Sequence, residues 1–235
     1  MISIVTGTFN RVNLIDNLIE NTVGRCDKLE LVLVDGGSTD GTIEKIKDIN
    51  HINIKLIEIG RRSSYPHFMN LGIQNSKYEW VCQWNDDVLL VNEWDDIISN
   101  LDDENDFYLF NWKYGTKEDM TNKNWLDGSI YKHGWCLVDD VKNNGEIVMN
   151  YGIYNKKIFR KIGMYNSAYT YYYADGDMAY RAYKFGFKYK TLRDIKICSL
   201  DTPKQALHTS DECIIYNQHL DMYNNGILPE NLNYL

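Results

Sequence analysis

The 235-residue sequence has only three prolines, no low-complexity tract and no internal repeat. This excludes a long disordered linker and a repeat array. Cysteine is scarce as well: Cys26, Cys82, Cys136, Cys198 and Cys213, five in all, with no CxxC pair. An odd set of well-separated thiols gives neither a disulfide framework nor a zinc site, and reads as free thiols in a reducing compartment. No run of about 18 apolar residues is present, so no transmembrane helix is predicted. The first strand signal follows Met1 directly, which leaves no room for a signal peptide. A cytoplasmic protein is the expectation. Positive charge is in deficit, at a net charge of −8, which argues against a broad nucleic-acid or anionic-membrane surface.

What the chain does have is an alternation of short apolar runs and helical periodicity. Residues 2–8 (ISIVTGT), 29–34 (LELVLV), 52–59 (INIKLIEI) and 78–84 (YEWVCQW) read as strands. Between them, residues 10–23 put Val12, Ile15, Leu18, Ile19 and Thr22 on one helical face, with Asn10 or Asn13 as cap. Ile43, Ile46 and Ile49 mark a second helix. A third is predicted from Pro66 towards Asn75, capped by Ser64. The first 90 residues therefore spell β-α-β-α-β-α-β, a parallel sheet with right-handed crossovers and helices on both faces. Further on, the pattern predicts a helix over 94–101, a strand over 106–113 and a helix over 155–162. A helix over 176–185, ended by Gly186, a strand over 187–199 and a helix in the tail complete the chain. Residues 114–150 look irregular. Trp112, Tyr114, Trp125, Tyr131, His133 and Trp135 cluster there; Tyr and Trp faces suit sugar rings but are more often ordinary core material.

Chemistry concentrates where strands run out. Residues 78–88 start as a buried strand and end abruptly in Asn85, Asp86 and Asp87. Adjacent carboxylates repel and want a partner. A hard divalent cation is one, since it takes one or two carboxylates plus substrate phosphates; a solvated turn is the alternative. Ligands of open α/β sheets bind outside the carboxyl ends of the strands, where these acids would lie. The first strand ends in Thr6-Gly7-Thr8-Phe9-Asn10-Arg11. The second ends in residues 35–42, DGGSTDGT. Late in the chain, Ala174-Asp175-Gly176-Asp177 opens a helix. Asp175 reads as a helix cap or, ionised by the helix dipole, as a general base.

Taken together, ISIVTGTFNR, LVLVDGGSTDGT, FMNLGIQNSKYEWVCQWNDD and GMYNSAYTYYYADGDMAYRAYKFG resemble a family 2 glycosyltransferase of the GT-A fold over residues 1 to about 190. The resemblance implies an α/β GT-A fold, a mostly parallel sheet flanked by helices. It implies a single domain over 1–235, with a nucleotide-binding half at 1–90, an acceptor-binding half at 91–200 and a C-terminal extension at 201–235. It implies a nucleoside-diphosphate sugar donor, a glycan or other hydroxyl acceptor, and Mn²⁺ or Mg²⁺. The first loop (Thr6, Gly7, Thr8, Asn10, Arg11), Asp35 and Asn70 would hold the nucleotide. Asp87 would ligate the metal directly, and Asp86 would contact the ribose or the metal's water shell. His208 is either a further metal ligand or a loop histidine. Asp175 would be the base of an inverting transfer. Asp177, pointing away from Asp175, would support the acceptor or the loop, Trp135 is an acceptor candidate, and His133 is either an acceptor contact or a polar surface group.

The chain departs from its relatives at three points. Gly36 stands where many carry a second acid after the one matching Asp35. Asn85 replaces the first acid of the metal motif, and Met69 replaces an Arg, a phosphate contact that Arg61, Arg62 or Lys77 would take over. Two other readings remain: a sugar nucleotidyltransferase, whose Gly-rich basic loop TGTFNR matches poorly, and a catalytically inactive nucleotide-sugar-binding module.

Overall fold

A computed structural model describes residues 1–127, 151–200 and 211–235. β1 (Ile2–Thr8) and β2 (Leu29–Asp35) form where β-branched and aliphatic residues concentrate, β2 being apolar at most positions, and both are buried along almost their whole length. Such runs suit strands covered on two faces. β3 (Ile54–Glu58) and β4 (Trp80–Gln83) join them in parallel, in the order β3-β2-β1-β4. Alternate residues feed two cores. Val5, Val32 and Val81 face one layer, whereas Ile4, Leu31, Leu33 and Cys82 face the other.

Beyond β4 the sheet changes character. β7 (Gly152–Asn155) runs antiparallel to β4 and to β6 (Phe107–Gly115). β6 lies parallel to β8 (Tyr189–Leu200), and β5 (Val88–Leu90) closes the edge antiparallel to β8. The eight strands follow the order β3-β2-β1-β4-β7-β6-β8-β5. A purely parallel sheet thus holds only for the first four. β5 and β7 went unpredicted because three or four residues carry no readable period.

The helices are α1 (Ile15–Asn21), α2 (Thr42–Ile49), α3 (Tyr65–Asn75), α4 (Trp94–Asn100), α5 (Lys123–Asp127), α6 (Lys156–Ile162), α7 (Ala174–Lys184) and α8 (Glu212–Asn224). α3 starts as predicted: the Ser64 hydroxyl accepts the His67 N–H at 3.3 Å, with Pro66 in the first turn. It packs so tightly on β1 that a Cβ on Gly72 would lie 2.2 Å from Val5 Cγ1. α1 is shorter than its periodicity suggested, and neither Asn10 nor Asn13 caps it. Asn10 instead takes a left-handed backbone (φ 52°) and ties two loops together. Cys26, Cys82, Cys198 and Cys213 are free thiols. Among the described residues no helix is long and apolar enough to cross a membrane.

Candidate active site

Register brings the loops together. Thr8 ends β1 opposite Asp35 at the end of β2, and β4 stops one strand over at Gln83, just before Asn85-Asp86-Asp87. Asp35 is fully buried. Its Oδ1 accepts the Gly37 and Ser38 N–H groups, both at 2.8 Å, and its Oδ2 accepts the Ser38 hydroxyl at 2.6 Å. The first and second loops are then stitched to each other. The Asn10 N–H donates to Ser38 Oγ, Asn10 Oδ1 accepts the Thr39 N–H, and the Arg11 N–H donates to Thr42 Oγ1. Thr6, Asn10 and Asp35 therefore build the loops from within. Gly7, Thr8 and Arg11 face the open cleft.

Asp86 and Asp87 also line that cleft. The Thr8 hydroxyl donates to Asp86 Oδ2 at 2.9 Å, and Arg11 Nε lies 3.8 Å from its Oδ1. Burial and the neighbouring charge of Asp87 nonetheless lift the Asp86 carboxyl to about 7, against Arg11 and Thr8. Two adjacent carboxylates, one of them disfavoured as an anion, make an all-oxygen donor set that fits a hard divalent cation. Among the described residues no group of three or more His, Cys, Asp or Glu is gathered, so the fit rests on these two.

The remaining walls are aromatic. Phe9, with the Arg62 guanidinium 5.2 Å above its ring, stands beside Tyr65, Phe68 and Tyr171. Phe68 lies across the ends of β1 and β2. A Cβ on Gly7 would come within 2.9 Å of its Cγ, and one on Gly36 within 3.1 Å of its Cζ. Asp175 sits in the first turn of α7 and accepts the Gly176 N–H at 2.9 Å. Tyr173, not Asp175, holds the capping position. Burial pushes the Asp175 carboxyl up to about 7, so the helix terminus does not keep it a low-pKa anion as its position suggested. The Tyr171 phenol is pushed up to about 12, first by burial and then by the charges of Asp87, Tyr172, Asp86 and Asp175. One phenol on the cleft wall thus feels all three candidate acids.

Residues 3–181 match Glycosyl transferase family 2. The chain belongs to that family. Its fold is GT-A, a central sheet flanked by helices. Solved structures with this fold include the mannosyltransferase PcManGT from Pyrobaculum calidifontis in complex with GDP-Man and Mn²⁺, at a TM-score of 0.64 and 19% identity. That alignment covers 96% of this chain and 63% of the mannosyltransferase chain, so this chain spans less than two thirds of it. S. aureus TarS 1-349 in complex with UDP-GlcNAc superposes at a TM-score of 0.70 and 17% identity, covering 99% of this chain and 68% of that TarS 1-349 chain. No curated protein sequence matches the chain.

Within this family 2 domain, several expected site residues do other work. Asn70 is 9% exposed, and both ends of its amide are committed to the Tyr165 backbone, at 2.8 and 2.9 Å. It fastens α3 to the loop before α7 and does not line the cleft. Asp177 is fully buried and accepts hydroxyls from Tyr169 (3.0 Å) and Tyr223 (2.7 Å), with His219 Nδ1 at 3.2 Å. Such a carboxylate ties α7 to α8 and to the loop that carries Tyr169, the second of its two readings. Trp112 packs edge-on against Tyr114 and against the core, which favours the core reading for it, whereas Trp125 is half-buried and donates to the Tyr114 carbonyl. His133, Trp135 and His208 lie outside the described residues. Of the basic residues offered for a phosphate, Arg62 lines the cleft. Phe9, Tyr65, Phe68 and Tyr171 went unpredicted, although the tyrosine-rich run just before Asp175 was a visible signal for the last.

Proposed function

We propose that this domain is a metal-dependent, inverting glycosyltransferase that moves a sugar from a nucleoside-diphosphate sugar to an acceptor hydroxyl. The observation that carries this reading is the cleft lined by Asp86 and Asp87, whose wall residue Tyr171 also feels the charge of Asp175. Asp87 and Asp86 would hold Mn²⁺ or Mg²⁺, with Thr8 and Arg11 steadying Asp86. The bound cation would neutralise the diphosphate leaving group. Arg62 and Arg11 supply the positive charge on the donor side. Asp175, with a carboxyl lifted to about 7, is matched to take a proton from a hydroxyl near neutral pH. As its O–H bond breaks, the acceptor oxygen bonds the anomeric carbon and the bond to the diphosphate breaks. One such displacement inverts the configuration.

GDP-Man and UDP-GlcNAc, bound by the two similar structures, are the first donors to try. A thermal-shift screen of these, with GDP and UDP, is run with and without Mn²⁺. The melting temperature should rise with at least one nucleotide in a Mn²⁺-dependent way, and Asp87→Ala should abolish the dependence. Pyrophosphate release from a nucleoside triphosphate and a sugar phosphate would instead establish the nucleotidyltransferase. No response to any nucleotide would sink both.

A further inference from the structure

Thr170 and Tyr171 line the far side of the cleft, within a segment from 163 to 173 that belongs to no strand or helix. Its backbone N–H groups need partners from elsewhere. Three in a row find the same one. Glu212, in the first turn of α8, is 1% exposed. Its carboxylate accepts the N–H of Thr170, that of Tyr171 at 2.9 Å and that of Tyr172 at 3.3 Å. The carbonyl of Thr170 is held from the opposite side by the Tyr65 N–H at 2.8 Å. Two more straps come from the tail. The Tyr173 ring stacks on Tyr216 at 5.0 Å, and the Met164 N–H donates to the Asn233 carbonyl at 2.7 Å. Glu212, Tyr216 and Asn233 all lie beyond the residues that match the family.

We infer that Glu212 is a positioning residue of the candidate active site. It sets the wall that carries Tyr171 and, through the turn that follows, the start of α7 with Asp175. The inference rests on the transferase reading above. A buried carboxylate is stable only when its lone pairs are met, and here the groups that meet them are the cleft wall itself. Tyr173, the one residue between this clamp and α7, is in a left-handed conformation (φ 64°). A shift of the clamped peptides therefore passes to Asp175 with little slack. A misplacement on the order of 1 Å is enough to cost about 10²-fold in rate.

Glu212→Gln tests this on the full chain. The amide keeps the shape but turns an NH₂ towards an N–H that now meets an oxygen. Turnover at saturating donor should fall by about tenfold or more, with donor Kd within about twofold of wild type. Amide hydrogen exchange across 166–173 should speed up at least about tenfold. Tyr180→Phe is the control: it removes a 2.9 Å bond to Asn224 at another point of the α7–α8 contact and should leave both readouts alone. Unchanged exchange in Glu212→Gln, unchanged turnover, or an equal loss in Tyr180→Phe would each overturn the proposal. If the wild-type chain transfers sugar from no donor, the transferase reading fails by itself, and exchange alone decides whether Glu212 holds the wall.

Discussion

The two sides of the cleft are held by different means. On one side, Gly7, Thr8, Asp86 and Asp87 emerge from the ends of strands whose register is fixed by a parallel ladder. On the other, Thr170, Tyr171 and the approach to Asp175 ride on irregular backbone, kept in place by Asn70, Glu212 and Asn233 from three separate parts of the chain. The ladder side inherits its precision from the sheet. The loop side has only as much as its side-chain straps provide. Donor binding should therefore follow the first and turnover the second.

The largest effect should come from Asp175→Asn, which removes the proposed base. Turnover should drop about 10²–10⁴-fold, the usual range for general base catalysis, while nucleotide binding by calorimetry stays intact. Equal losses in both would break the division between the two sides. Asp87→Ala should weaken metal-linked nucleotide binding as well as turnover, because the cation it would hold serves both the bound diphosphate and its departure. The gain in nucleotide affinity brought by Mn²⁺ should shrink by about 10²-fold, since metal neutralisation of a diphosphate is worth several kcal/mol. A variant that loses turnover with metal-linked affinity unchanged would put Asp87 on the wrong side.

Next comes pH. Asp175 must be unprotonated to act, so turnover should climb as pH rises through about 7. Stability should move the opposite way. The native carboxyl keeps a proton that the unfolded chain, at its ordinary value of 3.8, has released. Where the folded state binds more protons, stability falls with rising pH. This contribution is complete below the unfolded value and fades as pH rises through about 7. Asp175→Asn should accordingly melt a few degrees above wild type at about pH 8, with no such advantage at about pH 4. A melting difference independent of pH would refute the assignment.

The smallest effects should be those of packing. Gly72→Ala would drive a Cβ to 2.2 Å from Val5 and should lower stability by about 1–3 kcal/mol in urea titrations. Gly163→Ala, at φ 82° and with a Cβ 2.8 Å from Leu232, should cost about as much, but by loosening the tail that straps the loop. Turnover per folded molecule should suffer in the second and not in the first.

The ladder side was legible because its information is local. An apolar run specifies a strand, and the polar residues that end it land at the sheet's carboxyl edge. α3 could be read from Ser64 and Pro66 for the same reason. The loop side was not legible, because orientation and burial there depend on partners far away in the chain. Asp175 and Asp177 sit two apart on one helix, where side chains point to different faces. One reaches the neighbourhood of Tyr171, and the other anchors Tyr169 and Tyr223 in the interior. Asn70 looked like a donor contact from its place in a motif, but Tyr165 takes its whole amide. Burial also raised the Asp175 carboxyl to about 7, an effect that a position at a helix terminus does not reveal.

Phe68 has one more consequence. Because its ring stands over both Gly7 and Gly36, side chains at positions 36 and 68 compete for one volume. A side chain at 36 requires the Phe68 ring to give by a few tenths of an ångström at the Cβ, so the two positions are coupled. Their substitutions should be strongly non-additive in a double-mutant cycle. The chemistry offered at the end of β2 is thus decided jointly with a residue on α3, and a redesign of one has to make room in the other.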